Sequence, residues 1–404
     1  MASSSPVMRV GLAGLGAGAV NALAAKPGIT AHPNFRLTAA ADLRQAALDK
    51  VASDYGIETY TSVEAMCASP NVDLVYIVTP NRFHAEHAIA AAEHGKQVLA
   101  DKPMALTLDD CQRMIDASQR NGVRLMVGHS QSLDSGVLKL LEVVESGEIG
   151  RPILIQSLYY SEWLYRPRSR DELDPTTQEG SLTLRQGPIQ IDMVRMLGGG
   201  MVRSVRGMTV VADSKRPIDG AYTAQLEFEN GTPCTLLFDS YGHFDSAELT
   251  YGIGLGGRPR TKEVNLGAHR QTRSFARPED EWAHKDATRI GGLRARPMVS
   301  EAGEHHQMFG LTIVDCERGA VRLTPTGIMI YGEAEWREIP VPVELYTKTE
   351  LDVMYRAWLH DEPLEYHDGL WGMATTEVCL AILDSAKERR EVLLQHQVRL
   401  PNSR

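Results

Sequence analysis

Apolar positions along the chain fall into short runs that alternate with stretches of helical repeat. Residues 7–13 read as a buried strand, a glycine turn follows, and residues 20–25 are helix-like. A second apolar run, 37–41, ends at Asp42, and 46–55 suits a helix. Residues 72–78 predict a third strand, and 85–94 an alanine-rich helix stopped by Gly95. A fourth strand at 97–100, a helix at 108–121 capped by Gly122 and a fifth strand at 124–127 complete the series. Strands and helices alternating at this spacing predict βαβ units and a parallel, doubly wound sheet over residues 1–128.

Beyond residue 128 the pattern changes. A helix is expected at 136–146, then strand-like segments at 153–160, 204–211, 221–228, 234–240 and 247–251. Consecutive strands without helices between them predict a second domain, residues 129–404, built on a large, mostly antiparallel open sheet. Residues 252–286, rich in Gly, Arg, Pro and polar residues, read as a long loop or flap. A helix at 377–390 precedes a strand-like end at 392–400. The fold class is α/β.

Length and charge narrow the function. A chain of 404 residues exceeds what one core supports, which agrees with two domains. With 42 Lys and Arg against 52 Asp and Glu, the net charge is −10, and no long basic run offers a nucleic-acid surface. Residues 10–25 imitate a secretory signal, but their glycines stand at turn spacing, so a βα turn is the better reading. No membrane association is expected. The five cysteines, 67, 111, 234, 316 and 379, are scattered and odd in number, which suggests a reduced, cytoplasmic protein.

The first βα turn reads Gly14-Leu15-Gly16-Ala17-Gly18-Ala19, which fits G-x-G-x-x-A between a strand and a helix. Gly14 permits a tight turn, Gly16 admits a pyrophosphate close to the backbone, and the following helix offers free N–H groups. Asp42, ending the second strand, is placed to accept hydrogen bonds from an adenosine ribose. Its charge favours NAD over NADP, although Arg44 nearby could grip a 2′-phosphate. Two further segments follow strands: Thr79-Pro80-Asn81-Arg82-Phe83-His84 and Asp101-Lys102-Pro103. An ammonium such as that of Lys102 stabilises alkoxide character in a reacting hydroxyl, and a desolvated lysine can itself take a proton. His84 and His87 share a helix face, but no carboxylate or cysteine completes a ligand set, so no metal is expected and the face is placed beside the cofactor.

The order GLGAGA, Asp42, TPNRFH and DKP resembles the glucose-fructose oxidoreductase, inositol dehydrogenase and MocA superfamily, with Asp101-Lys102-Pro103 in place of the usual E-K-P. Arg166 to Arg168, Arg185 to Pro188, Asp192 to Arg195 and the segment near His306 resemble the branch of phthalate dihydrodiol dehydrogenases. The resemblance implies a Rossmann domain, a substrate domain whose open sheet makes a homodimer or homotetramer, and hydride exchange with a carbinol carbon. Gly14, Gly16, Ala17, Gly18, Asp42 and Arg44 would serve the phosphate and adenosine side of the cofactor. Thr79, Pro80, Asn81, His84, Asp101 and Lys102 would surround the nicotinamide side, with Lys102 on the reacting hydroxyl.

One departure stands out. The resemblance places a titratable His or Tyr three residues before Asp192, with an acid four residues earlier; here those positions hold Ile189 and Arg185. Isoleucine cannot titrate and arginine stays protonated. The proton acceptor then falls to Lys102 or to a histidine from elsewhere, His129, His305 or His306, with Asp192 as a hydrogen-bonding partner. Arg166 and Arg185, with Arg168 and Arg170 nearby, favour an anionic small-molecule substrate, since guanidinium forks bind carboxylates. Arg195 could equally tie Asp192. Trp163, Tyr159 and Tyr160 either line a pocket or pack in the core. The expectation is an NAD-dependent oxidation of a hydroxylated, carboxylated cyclic compound such as an aromatic cis-dihydrodiol. Redox-neutral bond cleavage through transient oxidation, and a non-catalytic NAD-binding sensor, are the alternatives.

Overall fold

The computed structural model describes residues 6–24, 28–128, 131–295 and 303–400. The chain divides into two compact units: Met1–His129 with Ala283–Glu301 and Thr347–Met373, and Ser130–Trp282 with Ala302–Tyr346 and Ala374–Arg404.

In the first unit β1 (Met8–Ala13), α1 (Ala17–Ala24), β2 (Phe35–Ala41), α2 (Gln45–Tyr55), β3 (Glu58–Tyr60) and α3 (Val63–Cys67) lead to β4 (Leu74–Ile77). Then come α4 (His84–Glu93), β5 (Gln97–Ala100), α5 (Leu108–Arg120) and β6 (Leu125–Val127). The six strands pair in parallel in the order β3-β2-β1-β4-β5-β6. Val75, Ile77, Val98, Ala100 and Val127 are buried against Met66, Ala88, Met114 and Ile115 of the flanking helices. Sheets covered on both faces by crossover helices need such near-continuous apolar strands. α5 starts where the Thr107 hydroxyl accepts from the Asp110 N–H, a cap that satisfies one open donor of the first turn. The short β3 lies outside the strands the pattern predicts, because Glu-Thr-Tyr forms no apolar run.

The second unit carries α6 (Ser135–Ser146), β7 (Pro152–Tyr160), α7 (Leu182–Arg185), α8 (Gly187–Leu197), β8 (Val202–Val210), β9 (Ala221–Phe228) and β10 (Pro233–Asp239). There follow α9 (Lys262–Ser274), α10 (Pro278–Ala287), β11 (Leu311–Cys316), β12 (Gly319–Thr324), β13 (Gly327–Gly332) and β14 (Trp336–Pro340). The chain ends with α11 (Tyr346–His360), which beyond Tyr346 belongs to the first unit, α12 (Gly369–Glu388), which belongs to it through Met373, and β15 (Val392–Leu393). Nine strands form one sheet, β14-β13-β12-β11-β7-β10-β9-β8-β15, antiparallel except where β7 meets β10. Every residue of α8 is buried, so this helix packs on all sides. Gln190 joins it to the sheet, donating to the Ser157 carbonyl at 3.0 Å and accepting from the Tyr222 hydroxyl at 2.6 Å. Tyr159 stacks on Phe309 at 4.1 Å and meets Phe238 edge-on at 4.8 Å, which makes it a core residue.

Three expectations are corrected here. Residues 247–251 are no strand: Ser246–Leu249 forms a 3₁₀ turn, started by the Asp245 carboxylate accepting from the Ala247 N–H. Residues 252–286 are no open loop, because α9 and α10 occupy most of them. Their helical signal is polar: Pro278 opens α10 and Glu279, Asp280 and Glu281 complement its dipole, while the breakers cluster before Lys262. Finally, only Val392–Leu393 of the tail pairs as a strand, on β8.

Candidate cofactor and active site

The first unit aligns four loops along the carboxyl edge of its sheet. Gly14 donates its N–H to Ala41 O, Val78 to Ala13 O, Asp101 to Ile77 O and Gly128 to Ala100 O, at 2.8 to 2.9 Å. Each loop is thereby pinned to its neighbour's strand end. The reversal of strand order between β1 and β4 falls in this row, and an open α/β sheet binds ligands at such a point.

Gly14 adopts φ +93, and a Cβ there would stand 3.0 Å from Thr79, so only glycine fits. A Cβ on Gly16 would meet nothing within 4 Å, which leaves the space beside the N-terminus of α1 open to a phosphate group. Ala17 opens that helix. A Cβ on Gly18 would lie 3.4 Å from Asp101 Oδ2, which sets the glycine turn against the loop after β5. Asp42 Oδ2 accepts from the Leu15 N–H at 2.7 Å, locking the turn to the end of β2. Arg44 donates to Asp42, to Leu15 O at 2.8 Å and to Ile290 O at 3.2 Å. Its guanidinium is thus held by internal acceptors. In the loop after β4, Asn81 Nδ2 is buried with no hydrogen-bond partner among the described residues. An open glycine turn, a carboxylate acceptor beside it and an unsatisfied buried amide donor form a set that fits a dinucleotide.

Asp101 and Lys102 follow β5, and the Lys102 N–H donates to Asp101 Oδ1 at 2.7 Å. The Lys102–Pro103 peptide is cis. His84, expected among the groups around the nicotinamide, is 1% exposed, with its ring nitrogens on Pro103 O and Thr79 O. His87 meets the Thr79 hydroxyl at 3.0 Å, and burial pushes its pKa below the ordinary histidine value. Glu350, which sequence reasoning missed, is 1% exposed and packs on Gly128 at the end of β6. A buried carboxylate at a strand's carboxyl end is a signal only once the fold is known.

The second unit places the remaining candidates. Ile189 is 4% exposed on α8, and three residues on the Asp192 carboxylate accepts from the Ser132 hydroxyl. Arg195 donates to Thr375 Oγ1 at 2.7 Å and Gln397 Oε1 at 3.1 Å, which ties α8 to the C-terminal segment. Arg185 pairs with Glu172, and Arg166 with Glu162 at 2.8 Å, so both arginines expected for an anion are engaged with carboxylates of their own chain. Arg166 retains a side chain 42% exposed. Arg168 is buried over the Trp163 ring at 3.6 Å, and burial pushes its pKa down to about 9. Trp163 is therefore packing, not pocket. His306, expected as a catalytic candidate, is buried with Nε2 on Val341 O at 3.0 Å, and burial keeps its pKa below the ordinary value. Its Nδ1 is buried with no hydrogen-bond partner among the described residues. His129 lies outside the described residues.

The sequence compares well with known proteins. The model of an oxidoreductase family with an NAD-binding Rossmann fold matches residues 8–129, and that of the GFO/IDH/MocA C-terminal domain matches residues 137–250. A Comamonas testosteroni protein, 1-carboxy-3-chloro-3,4-dihydroxycyclohexa-1,5-diene dehydrogenase, is 31% identical over 94% of this chain and 95% of its own. The chain belongs to the GFO/IDH/MocA oxidoreductase family. An inositol 2-dehydrogenase of Salmonella paratyphi B is 38% identical over 29% of this chain and 34% of its own. Among solved structures, a protein of Bordetella bronchiseptica RB50 superposes with TM-score 0.88 at 32% identity, over 96% of this chain and 100% of its own. Levoglucosan dehydrogenase in complex with NADH and levoglucosan superposes at 0.69 with 17% identity, over 96% and 99%, which speaks to the fold alone. As a GFO/IDH/MocA member the protein is an oxidoreductase with an NAD-binding Rossmann unit and a second unit built on a mixed, mostly antiparallel sheet. No helix among the described residues is long and apolar enough to cross a membrane.

Proposed function

We propose that this protein oxidises a secondary alcohol on a carboxylated, hydroxylated cyclohexadiene ring, using NAD. The observation that carries the reading is the Asp101-Lys102 loop, pinned at the carboxyl edge beside the Gly14 turn and the Thr79–Asn81 loop. The substrate class rests on the Comamonas relative, matched along nearly the whole of both chains.

In this reading Gly14, Gly16 and Asp42 would hold the pyrophosphate and adenosine, and Asn81 Nδ2 would meet the nicotinamide side. The bound nicotinamide supplies the hydride acceptor. Lys102 Nζ bonds the substrate hydroxyl and stabilises its developing negative charge. Asp101 fixes the lysine backbone. Ile189 stands where a titratable side chain would serve, so Lys102 in its neutral form takes the hydroxyl proton as the carbinol carbon loses hydride. Arg166, the more exposed of the two paired arginines, is assigned to the substrate carboxylate. Oxidation of a ring diol gives a hydroxydienone that tautomerises to a catechol, and the gain of aromaticity drives the reaction.

The test is to incubate the protein with excess NAD and a carboxylated cyclohexadiene cis-diol, following NADH by absorbance and products by mass spectrometry. NADH and catechol formed in equal amounts support the reading. Catechol absent and NADH flat, with NAD binding verified, overturn the substrate assignment. Product with a bond cleaved beside the hydroxyl and no NADH points to redox-neutral chemistry instead.

A further inference from the structure

His84 opens α4, buried between the two loops that the proposed function assigns to the reacting end of the cofactor. Its Nδ1 lies 2.9 Å from Pro103 O and its Nε2 lies 2.9 Å from Thr79 O. A backbone carbonyl only accepts, so a neutral imidazole, with one N–H, can satisfy one of these contacts. Both are satisfied only when both ring nitrogens carry protons. Thr79 is held a second time, one helical turn on, by His87 at its hydroxyl. The face that spells His84 and His87 thus grips one residue at two atoms and reaches the other loop through His84 alone.

Burying a ring that carries charge is costly unless its hydrogen bonds are complete, and here both arms end on loop backbone. We propose that His84 is a positioning residue, a doubly protonated bridge that sets the Lys102-Pro103 loop and the Thr79-Asn81 loop at a fixed separation. The inference rests on the reading that Lys102 bonds the reacting hydroxyl while Thr79 and Asn81 face the nicotinamide. Its Pro103 arm serves turnover, because Pro103 follows Lys102 directly. Its Thr79 arm serves cofactor affinity.

Two substitutions separate the arms. In His84→Asn the side-chain amide stands where Nδ1 stood and keeps the Pro103 contact; in His84→Gln it reaches the Nε2 position and keeps the Thr79 contact. His84→Gln is expected to lower kcat at least about tenfold with the Kd for NAD changed less than about threefold. His84→Asn is expected to raise the Kd for NAD by about tenfold and to lower kcat less than His84→Gln does. Equal losses in both variants, or no loss in folded variants, overturn the proposal. Should neither variant fold, nitrogen-15 NMR of histidine-labelled wild-type protein decides: two protonated ring nitrogens on one buried histidine support the bridge, and no such ring overturns it. The NAD titration and the NMR need no substrate. Failure of the dihydrodiol reading therefore shows as absent turnover with these two results intact.

Discussion

Asp42 and Arg44 form a closed pair, in which the Asp42 Oδ1 accepts from the Arg44 backbone N–H at 2.8 Å and from its Nε at 3.0 Å. The second carboxylate oxygen faces the glycine turn through Leu15. A guanidinium spent on this carboxylate and on two carbonyls is a poor receptor for a 2′-phosphate, and the carboxylate repels one. Asp42→Ala removes both effects and the anchor of the turn. The Kd for NAD is expected to rise about tenfold or more, since hydrogen bonds to a charged group contribute roughly 1.5–3 kcal/mol. The preference for NAD over NADP should shrink in the same variant. Fluorescence titration with both nucleotides checks this, and an unchanged ratio would remove Asp42 from cofactor selection.

Lys102 carries the proton transfer in the proposed function, with no titratable residue at position 189 to share it. Lys102→Met keeps the length of the side chain and removes its amine. A loss in kcat of about a hundredfold to ten-thousandfold is expected, the span ascribed to a positioned acid or base. The Kd for NAD should stay within about threefold, because the glycine turn and Asp42 are untouched. Steady-state kinetics beside nucleotide titration distinguish the two effects. Turnover at the wild-type rate would discard the mechanism.

How much of this was legible in sequence depended on whether the signal was local. The glycine turn, Asp42 and the loops after β4 and β5 could be placed because parallel strands put their carboxyl ends on one edge, so order along the chain becomes order in space. The second unit resisted. α9 and α10 have no broad apolar stripe and hide among arginines and glycines. β11 to β14 are narrow hairpin strands whose alternation is interrupted by Gly319, Gly327 and Gly332. The arginines were visible as residues, yet their partners were not: Arg260 bonds Asp245 at 2.5 Å and also pairs with Glu162, a contact spanning almost a hundred positions. Pairings of that range are set by topology rather than pattern, and this is why anion-binding arginines looked more available than they are.

Arg216 and Glu281 make a buried ion pair at 2.7 Å, with the arginine side chain 2% exposed. The same Glu281 oxygen accepts from the Arg168 N–H at 2.7 Å. Forming such a pair adds little net stability, but removing one partner strands a charge in low dielectric. Arg216→Leu is therefore expected to cost about 3–5 kcal/mol, a drop in melting temperature of roughly 5 °C for a chain of 404 residues. Adding Glu281→Gln removes the stranded charge while keeping an acceptor for Arg168, and should restore part of the loss. Calorimetry of the single and double variants tests this; a double variant less stable than Arg216→Leu alone would show that the charge is not what destabilises.

Asp134 gives the pH test. Its carboxyl is buried beside α6, accepts from the Tyr346 N–H at 2.6 Å and bonds the Gln307 side chain, and desolvation pushes its pKa up to about 8. In the unfolded chain an aspartate titrates near 3.9. Between these values the folded state holds a proton that the unfolded state has lost, so this group's contribution to stability falls as pH rises from about 4 to about 8. Above that window both states are ionised and the contribution is flat. Asp134→Asn keeps an oxygen for Tyr346 and cannot ionise. Its melting temperature, relative to wild type, is expected to climb steadily from pH 5 to pH 8. Scanning calorimetry across that range checks the slope, and a difference that is constant or shrinks with pH would mean that Asp134 is ionised in the folded protein.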